Sequence, residues 1–170
     1  MRMARLLSLA VVTVALCASL PVGAQQPVAP PPPQIPYGAP ISLEQAKKVI
    51  AGAEAEAKKN SWNVVIAVLD SGGHVVLLQR LDGAQLGSID VAKEKAHSAV
   101  LYRRPTKMFQ DLVGQGGANL RLLRLSGASV LEGGIPLIVD GKLIGAVGVS
   151  GVTSEQDAQI AQAGAEALTK

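Results

Sequence analysis

The chain has two histidines, His74 and His97. Near neutral pH an imidazole can ligate a transition metal or carry a proton. His74 follows Gly72-Gly73 and opens a β-branched run, so the sequence places it at the mouth of a sheet. There it is available as a ligand, or as a turn histidine bonded to a nearby carbonyl. His97 falls off the stripe Ala92, Ala96, Ala99 and reads as a solvated helix position. Three cations, Lys95, Arg103 and Arg104, are suited to pairing with ligand carboxylates. The arginine pair also falls at an expected helix C-terminus, where the helix dipole favours positive charge. Glu132 precedes Gly133-Gly134, and two glycines permit close approach of a ligand or a partner subunit. A carboxylate there suits a general base, a metal ligand or an interface salt bridge. No catalytic residue can be assigned from these groups.

Standard enzyme signatures are absent. There is no P-loop, no dinucleotide-binding glycine pattern and no histidine or acid cluster at metal-site spacing. No Ser-His-acid set has supporting spacing. The single cysteine, Cys17, lies in an N-terminal segment with the form of a secretory signal. Arg2 and Arg5 form its basic start, Leu6 to Leu20 its apolar core, and Val22-Gly23-Ala24 its cleavage site. The apolar run is short for a membrane span. Residues 1–24 are therefore expected to be removed, leaving a periplasmic or secreted protein without cysteine and so without disulfides. Cleavage also removes two of the 16 basic residues, which brings the charge close to balance against 13 acidic ones. The high isoelectric point is then no sign of nucleic-acid binding.

The elements that position these groups are legible. Residues 25–40 hold four consecutive prolines, Pro30 to Pro33, and read as an extended linker. Ser42-Leu43-Glu44-Gln45 is a capping box, predicting a helix to about Lys59. Asn63 to Leu69 and His74 to Leu81 are strands joined by a tight turn into a hairpin. A second helix, capped by Ser88, runs on its alanine stripe to a stop before Pro105. Thr106 to Val113 suggests a further short helix. Gly114 to Gly127 fits either a mobile loop or a helical turn. Asp140-Gly141 between two β-branched runs marks a second hairpin. Its last strand carries Gly145 and Gly148, where something must approach closely. Thr153-Ser154-Glu155-Gln156 opens a closing helix to about Leu168. The order gives an α+β domain over 41–170, an antiparallel sheet flanked by helices.

Val68 to His74 with Arg80-Leu81-Asp82-Gly83-Ala84 resembles the first signature of the HbpS/GlcG-like haem-binding family, the DUF336 type. Lys93-Glu94-Lys95-Ala96 and Phe109 fall at its lysine-alanine helix and the segment after it. Leu131 to Pro136, Ile144 to Gly151 and Ser154-Glu155-Gln156-Asp157 follow in the family's order. The resemblance implies a profilin-like or PAS-like fold and a homo-oligomer. Some secreted members of this family bind haem, and haem degradation has been proposed for them. Others are associated with glycolate utilisation or fused to cobalamin adenosyltransferases. By resemblance, haem is the expected cofactor, with His74 as the iron ligand. Lys95, Arg103, Arg104, Glu132 and Gly133 would complete its site. Haem pockets favour aromatic walls, and the chain has four aromatic residues, Tyr37, Trp62, Tyr102 and Phe109. The leucines between Gly114 and Gly127 offer an alternative apolar wall. Two other functions fit the sequence: binding of a small organic acid, and a ligand-free oligomeric scaffold.

Overall fold

The computed structural model describes residues 34–169; the expected signal segment and most of the proline-rich stretch lie outside them. Two helices begin at the capping boxes. In α1, Leu43–Lys59, the Ser42 hydroxyl accepts from the Gln45 N–H while the Gln45 side chain accepts from the Ser42 N–H. Thr153 and Gln156 do the same for α4, Ser154–Ala167. Each box satisfies two amides that a helix start otherwise leaves open.

Four strands form one antiparallel sheet: β1 Val65–Asp70, β2 Val75–Arg80, β3 Gly134–Val139 and β4 Lys142–Ser150, in the order β2-β1-β4-β3. Asp140 and Gly141 both take positive φ, 49° and 72°, at the β3–β4 turn. This is the handedness that a two-residue hairpin needs and that Asp-Gly supplies.

The sheet is covered on both faces, which is why β1 reads as an unbroken apolar run rather than an alternating one. On one face α1 and α4 bury Ile66, Val68, Val147 and Val149 beneath Val49, Ile50 and Ile160. On the other lies α2, Ser88–Tyr102, with Ala92, Ala96 and Ala99 against Val65, Ala67 and Ala146. The small residues let this helix sit very close. A Cβ on Gly148 would fall 2.1 Å from the Ala92 carbonyl oxygen, and one on Gly134 2.3 Å from that of Lys95. What approaches Gly134 and Gly148 is thus helix α2, and what approaches Gly145 is the Leu69 carbonyl of β1, with Ile41 behind it. A third helix, α3 Lys107–Gly114, and a 3₁₀ helix, Gly117–Arg124, follow α2 and pack against each other. The segment left open by the sequence is therefore helical.

Two expectations are corrected. Ser88 does not cap α2; Gly87 holds that position, and the buried Ser88 hydroxyl instead contacts that of Ser150 at 3.2 Å. The linker also ends before Pro40. Beyond the end of β1, the Leu143 N–H donates to the Pro36 carbonyl (2.9 Å) and the Gly38 N–H to the Leu143 carbonyl (2.7 Å). The arm thereby takes up the edge of β4 that β1 is too short to cover. The Tyr37 hydroxyl then donates to the carbonyls of Val100 and Leu101, at 3.0 and 3.2 Å, and caps the C-terminus of α2.

Candidate functional site

The Asp70–His74 turn is built by one carboxylate. Asp70 Oδ1 accepts from the backbone N–H of Gly72 (2.8 Å) and of His74 (2.9 Å). Burial alone would raise the Asp70 carboxyl, but these amides and the His74 ring hold it below its usual value. The His74 side chain is 83 % exposed, with Nδ1 3.5 Å from Asp70 Oδ1. Its other ring nitrogen is open to an external partner.

His97 meets the same turn from α2. A Cβ on Gly73, whose φ is +84°, would fall 3.0 Å from His97 Cδ2, so the imidazole packs over a residue that must lack a side chain. Gly127 lies on the other side, where a Cβ would stand 3.6 Å from His97 Nδ1. The two imidazoles, 23 positions apart in the chain, thus flank one Gly-Gly turn. Two clefts adjoin at His97 and Glu94. One, about 300 Å³, is bounded also by Leu69, Gly73, Val75 and Lys93. The other, about 290 Å³, is bounded by Gly127, Ala128 and Ser129. The Tyr102 hydroxyl donates to the Ser126 carbonyl and ties that wall to α2, while the Tyr102 ring meets Phe109 edge-on at 5.2 Å. Sequence periodicity made His97 a solvated position. The structure makes it half-buried and a wall of both clefts.

The remaining candidates do not converge on this surface. Lys95 is 1 % exposed; its ammonium donates to Asp157 Oδ2 (2.7 Å) and to the Val149 carbonyl (2.9 Å). It serves the interior, in place of the ligand carboxylate expected from its sequence. Gly133, at φ +124°, makes room for that ammonium, since a Cβ there would lie 2.9 Å from Lys95 Nζ. Its close approach is again internal. Glu132 is largely buried, 3.6 Å from Lys107 Nζ and 3.4 Å from the Gln110 amide nitrogen. Arg103 and Arg104 close the end of α2. Arg104 Nε donates to the Tyr102 carbonyl (3.0 Å), and Arg103 donates to the Ile35 carbonyl (3.2 Å) while its guanidinium lies 5.1 Å over the Tyr37 ring. Arg103 also borders a separate, largely apolar cleft of about 310 Å³ beside Ile35, Pro105 and Pro136.

Among the described residues, no group of three His, Cys, Asp or Glu side chains is arranged to hold a bare metal ion. No helix among them is long and apolar enough to cross a membrane. The surface instead offers an exposed imidazole at His74, a half-buried one at His97, the apolar side chains of Leu69 and Val75, and one cation, Lys93, paired with Asp90 at 2.7 Å.

The fold defines an α+β class with a helix-sheathed antiparallel sheet. Residues 41–166 match the family described as haem degrading protein HbpS-like, and the chain belongs to that family. Protein GlcG of Escherichia coli (strain K12) is 45% identical over 110 residues, 65% of this chain and 81% of that protein. The Klebsiella pneumoniae protein ORFY superposes with a TM-score of 0.71 at 33% identity, over 89% of this chain and 98% of that one. The PduOC:haem complex superposes with a TM-score of 0.69 at 30% identity, over 76% of this chain and 95% of that one.

Proposed function

We propose that this chain is an exported haem-binding protein that holds haem against the surface where the Asp70–His74 turn meets α2. One observation carries the reading: the domain matches nearly the whole length of a relative solved with haem bound. The local chemistry supports it. His97 in the cleft wall and the exposed His74 beside it would offer imidazole to the iron, Leu69 and Val75 would supply apolar walls, and Lys93, now paired with Asp90, would supply a cation for a propionate. Bound haem would supply redox and oxygen chemistry; the protein's part is ligation, orientation and shielding. Each cleft is at the small end of the range for ligand pockets, about 300 Å³ upward. One subunit therefore leaves much of a haem uncovered, and a second subunit is the natural cover, which favours a homo-oligomer. The N-terminal segment supports export to the periplasm or beyond.

The test is a haemin titration of residues 25–170, followed in the Soret region. A saturating shift is expected, weakened in His74→Ala, in His97→Ala, or in both. A linear response that never saturates would exclude specific binding. An unchanged curve in one variant removes that histidine from the iron. A second reading, binding of a small organic acid, draws on the Arg103 cleft, where one guanidinium faces apolar walls. Thermal-shift screening with glycolate and related acids tests it, and Arg103→Ala should abolish any stabilisation seen.

A further inference from the structure

A cleft of about 480 Å³ lies at the end of the β1–β2 hairpin, where Val65 pairs with Arg80. It is about 17 Å along the strand from the His74 turn, at roughly 3.3 Å per residue. Nothing in the haem reading uses it. Its apolar surface is Trp62 with Leu81, both half-buried and packed against the α1–α4 core, so the indole is a fixed surface rather than a mobile one. The chain reaches Trp62 through Ser61, which holds a left-handed φ of 57° so that the Trp62 N–H can return to the Ala57 carbonyl.

Around the indole stand side chains with flat, two-pronged polar ends: Glu54, Asn63, Gln79, Arg80 and Asp82. Glu54 is already engaged, by Lys58 at 2.7 Å and by Gln79. Arg80 and Asp82 are exposed and make no ion pair among the described residues. Two acids and two bases border the cleft, so it selects neither anions nor cations. Such a lining suits a neutral ligand with many hydroxyls, each both donor and acceptor, and with one apolar face.

We propose that this cleft binds a saccharide. The C–H face of a sugar ring lies on Trp62, and neighbouring hydroxyls are bridged by the Arg80 guanidinium and the Asp82 carboxylate. Trp62 is the chain's only tryptophan, so its fluorescence reports this cleft alone. The experiment titrates the haem-free protein with glucose, galactose, N-acetylglucosamine and their disaccharides, with glycine, glutamate and acetate as controls. The expected result is a saturable change in Trp62 emission with at least one sugar. Arg80→Ala and Asp82→Asn should each weaken it about tenfold, the loss of one charge-assisted hydrogen bond. Both side chains are exposed, so neither change touches the core, and haemin titration should be unaltered in both variants. A linear response to every sugar overturns the proposal. So does saturation by the amino acids or acetate in place of sugars, or a sugar response that both variants retain in full.

Discussion

The ammonium of Lys95 and the carboxylate of Asp157 meet at 2.7 Å inside the protein, joining α2 to the first turn of α4 with both side chains almost wholly excluded from solvent. Asp157 also accepts from the Val152 N–H at 3.2 Å, and Lys95 also donates to the Val149 carbonyl. The two helices lie on opposite faces of the sheet, and the pair bridges them past the end of β4. Removing one partner strands the other charge in the interior. Lys95→Met should therefore cost about 3–5 kcal/mol in denaturant unfolding. Lys95→Met with Asp157→Leu should recover much of that loss.

The same pair gives an unusual pH dependence. Burial raises the Asp157 carboxyl above its usual value, against the opposing pull of Lys95. A raised folded-state value means that the folded protein takes up the proton at higher pH than the unfolded chain. Stability at this site should then increase as pH falls through the raised value. It should level off below the unfolded carboxyl's value of about 3.9. The stability of the wild type relative to Asp157→Asn, measured across that range, should follow this course. A relative stability that instead falls with acid would contradict it.

Ser61 occupies the left-handed position that closes α1, where glycine is the usual residue. Ser61→Gly should raise stability by about 1 kcal/mol, and Ser61→Val should lower it. Thermal unfolding of both variants checks the sign.

Close packing of α2 on the sheet depends on Gly148. Gly148→Ala should cost at least about 1–3 kcal/mol, because the added methyl meets helix backbone rather than a movable side chain. Gly114→Ala, at the open end of α3 with nothing within 4 Å, is the control and should be neutral or stabilising.

The arm is a part of the domain although the family match begins at Ile41. A chain starting at Ile41 should melt about 4 °C or more below one starting at Gln25, since α2 loses the Tyr37 cap and β4 loses its edge partner. Tyr37→Phe should account for about 0.5–1.5 kcal/mol of that difference.

Local chemistry made much of this protein legible from its sequence. Ser42-x-x-Gln45, Thr153-x-x-Gln156 and Asp140-Gly141 each specify a structure through contacts within a few residues, and the elements stand where those motifs put them. The continuous apolar run of β1 fits a strand buried in the sheet, as it is. The motif order pointed to the family. What the sequence left undecided were contacts across the sheet. Lys95 looks like any helix lysine until Asp157, 62 positions later, takes its charge. Gly134 and Gly148 signalled close approach, but not that the approaching body was α2, and Gly133 not that it faced the Lys95–Asp157 pair. His97 lies off the stripe that packs on the sheet, and only the return of the Gly73 turn and the Gly127 loop to its side makes it a cleft wall. Helical periodicity describes one face of one element. Which other elements cover the remaining faces depends on the whole chain.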